Sequence, residues 1–263
     1  MPKFAANLTM LFNELAPVDR FAAARVAGFD AVEFLFPYED DVDAIEGALR
    51  SNALEMVLFD LPVGNFAAGE RGLANDPARI EEFQRGATMT VDLAQRYGTP
   101  LLNCLVGKAL AGVAADVQRR TLVDNLRYAA AAAEQRGVRL LIEPLNTIET
   151  PGFLIATARE ALELIDEVGH PNLWLQLDLY HEQRMAGNLV ATLREHIDRI
   201  AHIQIADSPG RHQPGTGEIN YRYVLDAIDA SGYEGWVSLE FVPAPDTSGA
   251  LDAMRGAGLL TLN

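Results

Sequence analysis

The stretch VRLLIEPLNTIETPGFLIATAREALELIDEVGHPNLWLQLD at 138–178 reads as strand, loop, helix, strand. VRLLIE at 138–143 and LWLQLD at 173–178 are short apolar runs, and each ends on a carboxylate. Between them, apolar residues recur at helical spacing over 157–168. Gly169 follows that helix, where a residue without Cβ takes a positive φ at little cost. Working outward, Gly28, Gly98, Gly137 and Gly232 stand at the same point of a repeating pattern. Strands are predicted near 3–9, 29–35, 54–61, 100–106, 138–143, 172–178, 200–206 and 235–241. Helices are predicted near 18–27, 41–51, 77–97, 113–136, 157–168, 188–196, 220–230 and 247–259. In the fourth, Leu122, Leu126, Ala129 and Ala133 fall on one face, with Arg119, Asp124 and Glu134 off it. Eight strand–helix units without a break predict an α/β fold, a (β/α)8 barrel. No linker or low-complexity tract divides the chain, so one domain is expected over 1–263.

Two long connections, 62–76 and 207–219, leave the C-terminal ends of the third and seventh strands. Barrel enzymes hold their active sites at that end, and long loops in a compact domain are more often functional than not. The net charge of −16 argues against nucleic-acid binding, which needs clustered Lys and Arg. It also argues against adsorption to anionic membranes. One cysteine, Cys104, excludes an internal disulfide and a thiolate metal cage. The N-terminal run lacks signal-peptide features, and no apolar stretch is long enough to span a bilayer. A soluble, cytoplasmic protein is expected. Exposed helix faces such as 77–97 could form a homo-oligomer.

Four residues carry the chemical reading. Glu143, Asp178, Gln204 and Glu240 close the last four strands. A carboxylate in an apolar strand is costly unless something pairs with it. Any one of them could be a solvent-facing strand end or a helix cap. Four in succession suggest a constructed site, and oxygen donors of this type suit Mg²⁺ or Mn²⁺. His181 and Glu149 lie in loops that can reach back over such an ion. His202 shares a strand face with Gln204 and reads best as a satisfied interior histidine. Arg211, Lys108 and Arg71 are cations in the loops, and a substrate carboxylate would need one of them. Arg211 is the best candidate, because a guanidinium can hold a carboxylate by two parallel bonds. Asn103 and Asn7 give weaker signals of the same kind. GTG at 215–217 lacks the spacing of a dinucleotide fingerprint, and no serine stands in a nucleophile elbow.

With these residues in place the chain resembles the hydroxypyruvate isomerase family of the xylose-isomerase-like TIM barrels. The similarity rests on AGFDAVEFLFPY at 27–38, FAAGERG at 66–72, LLNCLVG at 101–107, IEPLNTIETPGF at 142–153, LQLDLYH at 175–181, HIQIADSPGRHQPGTGEINY at 202–221 and SLEF at 238–241. It implies that Glu143 and Glu240 are the acid/base pair. It also implies that Glu143, Asp178, Gln204 and Glu240 hold a divalent metal, and that Glu149, His181 and Arg211 contact substrate. Gln204 stands where related ketose 3-epimerases usually have histidine, which favours the hydroxypyruvate isomerase branch. The implied reaction interconverts hydroxypyruvate and tartronate semialdehyde through an enediolate, with a small hydroxy-oxo acid as substrate. A 2-oxo-tetronate isomerase or a ketose 3-epimerase is the alternative. An apurinic-site endonuclease would need a histidine-rich zinc cluster and a basic groove, and five histidines with a charge of −16 oppose both. A non-catalytic sugar-binding barrel would not need four ligands and an acid/base pair.

Overall fold

The structure is a computed structural model and describes residues 1–262. Eight parallel strands, in chain order, make a closed barrel. They are β1 (Lys3–Asn7), β2 (Ala31–Glu33), β3 (Glu55–Asp60), β4 (Leu101–Asn103), β5 (Arg139–Ile142), β6 (Leu173–Asp178), β7 (Ile200–Ile205) and β8 (Trp236–Leu239). The α-helices among the described residues are α1 (Asp19–Val26), α2 (Val42–Asn52), α3 (Ile80–Tyr97), α4 (Ala115–Glu134), α5 (Ala158–Val168), α6 (Leu179–Met185), α7 (Leu189–His196), α8 (Tyr221–Ala230) and α9 (Thr247–Gly256). This is the (β/α)8 barrel that the strand–helix spacing predicts. Among the described residues no helix is long and apolar enough to cross a membrane.

The chain divides into two compact units, Met1–Val57 with the chain from Asp178 onward, and Leu58–Leu177. In the first, β1 pairs with both β2 and β8, and β7 pairs with β8. The register sets Asn7 opposite Glu33 and Gln204 opposite Ser238. In the second, β3, β4, β5 and β6 pair in sequence, with Asp60 opposite Asn103. The strands are buried almost throughout, as expected of parallel strands covered by helices.

The helices obey the sequence rules. α5 opens with a capping box, in which Thr157 accepts from the Glu160 N–H and Glu160 reaches back to the Thr157 N–H. It closes on Gly169 in the left-handed conformation. Leu122, Leu126, Ala129 and Ala133 of α4 are all buried, while Asp124 and Glu134 are exposed. One helix was not foreseen. α6 starts directly at the end of β6, with Asp178 as its N-cap accepting from the Tyr180 N–H at 2.8 Å. Seven residues with no preceding loop show too little periodicity to be read as a helix.

Candidate active site

Every strand of the barrel closes on a buried polar residue. In chain order these are Asn7, Glu33, Asp60, Asn103, Glu143, Asp178, Gln204 and Glu240, each no more than 6% exposed. Glu143 and Glu240 stand one residue past the ends of β5 and β8, and Gln204 one residue before the end of β7. Desolvation on this scale is tolerated only when charges and dipoles answer one another.

In the first unit, Asp178 and Glu240 share one guanidinium. Arg211 Nη2 lies 2.7 Å from Glu240 Oε2 and 3.8 Å from Asp178 Oδ2. Burial above all raises the Asp178 pKa, and the charge of Arg211 and the backbone N–H groups of Tyr180 and His181 oppose it. Burial likewise pushes Glu240 up to about 8; Arg211 pulls it down, while the charges of Asp178 and Glu33 add to the rise. His181, in the first turn of α6, brings Nε2 to 3.5 Å from Asp178 Oδ2. Its own burial, then the charges of Arg211 and Arg184, hold its pKa well below 6.5, so the imidazole is neutral at pH 7.

Arg211 reaches this place because its loop is built around Asp207. That buried carboxylate accepts N–H bonds from Ser208 at 2.9 Å, Gly215 at 2.8 Å and Ile219 at 3.1 Å. Arg211 itself has φ +53°, a left-handed conformation unusual for a residue with a side chain. Val242 N–H fixes it by donating to the Arg211 carbonyl at 2.8 Å. Gly217 packs so closely on the Ser208 carbonyl that a Cβ would collide with it.

In the second unit, Asn103 Nδ2 donates to Asp60 Oδ1 at 3.2 Å and to Glu143 Oε2 at 3.0 Å. Lys108 Nζ is 3.4 Å from the Gly69 carbonyl. Arg71 bonds the carbonyls of Phe66 and Glu70 and stacks on the Phe66 ring. Both cations are thus engaged with the 62–76 loop. Glu149 is exposed and tied to Asn146, whose Nδ2 lies 3.3 Å from Glu149 Oε2. Cys104 is buried, and burial followed by the Asp60 charge pushes its thiol up, which makes it an inert core residue.

The donor set suits a divalent cation. Among the described residues, Asp178 Oδ2 is buried without a hydrogen-bond partner, while Arg211 now supplies the positive charge that faces Asp178 and Glu240. Gln204 donates its amide nitrogen to Glu33 Oε2 at 3.0 Å, which turns its oxygen the other way. In the first unit the buried Asp178 and His181 are a carboxylate–imidazole pair of the kind that binds a divalent ion, and in the second the buried Glu143 closes β5. The sequence places His181 in a loop able to reach back over such an ion; in the structure it lies in the first turn of α6, beside Asp178. Glu33 and Asp60 were not recognised from the sequence. Their signal was present in AVEF at 31–34 and LFDL at 58–61, where an acid follows an apolar pair as in the later strands.

The family model for xylose isomerase-like TIM barrels matches residues 21–257. A hydroxypyruvate isomerase of Escherichia coli K12 is 47% identical over 251 residues, covering 95% of this chain and 97% of its own. The chain belongs to the hydroxypyruvate isomerase family of xylose isomerase-like TIM barrels. A 2-oxo-tetronate isomerase of Cupriavidus necator is 42% identical over 255 residues, 97% of this chain and 98% of that one. Among solved structures, a Brucella melitensis protein described as an AP endonuclease of family 2 superposes with a TM-score of 0.93. It is 39% identical and covers 97% of this chain and 99% of its own.

Proposed function

We propose that this isomerase is metal-dependent and interconverts hydroxypyruvate and tartronate semialdehyde, with Mg²⁺ or Mn²⁺ as its ion. The observation that carries the reading is the Arg211–Glu240–Asp178 cluster. It combines a buried carboxyl near neutrality in pKa, a second acid, and a guanidinium able to take a substrate carboxylate. Glu143, Asp178, Gln204 and Glu240 would hold the ion, with His181 beside them. When bound, the ion supplies Lewis acidity that stabilises the developing enediolate charge.

The rest falls to the chain. Arg211 leaves Glu240 and holds the substrate carboxylate by two parallel bonds, which frees Glu240 for chemistry. One of the pair Glu143 and Glu240 takes a proton from C3 of hydroxypyruvate, giving an enediolate across C2 and C3. The pair returns a proton to C2, and the hydroxyl proton passes from O3 to O2, so the product is the C3 aldehyde. His181 and Asn103 would orient the substrate oxygens, while Lys108 and Glu149 would have to leave the Gly69 carbonyl and Asn146 to reach the substrate.

The four-carbon alternative is favoured by one observation, the 42% identity to a 2-oxo-tetronate isomerase. Nuclease activity is disfavoured by the net charge of −16, which repels a phosphate backbone. The test is metal-stripped protein given Mg²⁺ or Mn²⁺ separately, with hydroxypyruvate, a 2-oxo-tetronate and a ketohexose in D₂O. The expected result is metal-dependent deuterium uptake, detected by NMR, that is fastest with hydroxypyruvate. Faster turnover of the tetronate shifts the assignment by one carbon. No exchange with any acid, under either metal, overturns it.

A further inference from the structure

One buried carboxylate of the first unit has no part in the proposed chemistry. Glu33, at the end of β2, is completely buried. Three N–H donors converge on it. His202 Nε2 bonds Oε1, while Asn7 Nδ2 and Gln204 Nε2 each lie 3.0 Å from Oε2. His202 is itself completely buried.

The consequence lies in the two amides. An amide side chain has ends of nearly equal size and opposite character, so packing alone does not choose between them. A cation binds the oxygen and is repelled by the NH₂. Glu33 offers acceptors, so Gln204 can meet it only through its nitrogen. Asn7 is held the same way from both ends. Its Oδ1 accepts the Thr9 N–H at 3.0 Å, and its Nδ2 faces Glu33 and also Glu240 Oε1 at 3.3 Å. One buried carboxylate thereby sets the direction of two amides, one a proposed metal ligand and the other a donor to the proposed acid/base residue.

We propose that Glu33 is a positioning residue that selects the oxygen of Gln204 for the divalent ion. This rests on the ligand assignment made above. A glutamine at 33 offers both a donor and an acceptor, so the selection is lost. A carboxylate at 204 has two equivalent oxygens and needs no selection. Exchanging the two side chains, Glu33→Gln with Gln204→Glu, keeps the net charge and restores a donor–acceptor pair with its direction reversed.

The experiment measures Mn²⁺ affinity by titration calorimetry on metal-stripped protein. It compares the wild type, Glu33→Gln and the double variant Glu33→Gln/Gln204→Glu. The single variant should bind Mn²⁺ at least tenfold more weakly. The double variant should return to within about threefold of the wild type. Unchanged affinity in the single variant, or a double variant no better than the single, overturns the proposal. If Glu33→Gln does not fold, as judged by circular dichroism, the double variant decides alone. It must fold and bind Mn²⁺ within tenfold of the wild type, or the proposal fails. A wild-type protein that binds no Mn²⁺ and no Mg²⁺ refutes the ligand assignment and this inference with it. A wild-type protein that binds while both variants behave identically to it refutes the Glu33 role only.

Discussion

Glu240 makes the stability of the metal-free protein depend on pH in a direction opposite to most carboxylates. Its pKa rises from an ordinary 4.5 to about 8, chiefly through burial. Between those values the folded protein holds a proton that the unfolded chain has released. The unfolded state then binds fewer protons, so stability falls as pH rises. The contribution is complete below pH 4.5 and is lost as pH passes through 8. A displacement of that size corresponds to roughly 5 kcal/mol at about 1.4 kcal/mol per pH unit. For a chain of this length the loss lowers Tm by on the order of 10 °C. The assay is thermal melting in EDTA at pH 5, 7 and 9. The wild type should lose stability across the series, and Glu240→Gln, which has no proton to lose, should lose much less. With saturating Mn²⁺ the wild-type trend should flatten or reverse, because a cation favours the ionised acids. Equal pH trends in the wild type and Glu240→Gln would show that Glu240 is not the group held protonated, and the reasoning from its burial would fall.

Three further outcomes are expected. Glu240→Gln keeps an oxygen donor but loses the proton acceptor, so turnover should fall roughly 10²-fold or more while Mn²⁺ still binds; steady-state kinetics with a metal titration would show it, and near-normal turnover would remove Glu240 from the chemistry. Arg211→Met deletes a charge-assisted contact of about 1.5–3 kcal/mol, so KM for hydroxypyruvate should rise about 10- to 100-fold with little change for a neutral ketose; equal changes for both would exclude the carboxylate role. Thr157→Ala breaks the capping box of α5 and should cost about 1 kcal/mol in urea unfolding without altering kcat; an unchanged midpoint would mean that neighbouring contacts hold the helix start.

The architecture was legible in the chain because it is written locally. Apolar runs of strand length, amphipathic segments and glycines past helix ends each follow from a few neighbouring residues. The repeat of that unit then specifies a parallel barrel. The acids at the ends of β5, β6 and β8 and the amide at the end of β7 were legible for a related reason, since polar groups closing apolar strands are conspicuous. α6 was not, because a seven-residue helix abutting a strand leaves no periodic signature. The roles of Glu33 and Asp207 were also beyond the sequence. Glu33 meets His202 and Gln204 from about 170 positions away, and Asp207 acts by gathering backbone N–H groups across its own loop. Those contacts depend on strand register and loop path, which no local pattern encodes. The chain's own order of residues therefore determined the barrel and which donors line its strand ends. Tertiary packing decided which way the amides point, which acids have their pKa raised and where the Arg211 guanidinium rests, because each depends on burial and on charges brought together only by folding.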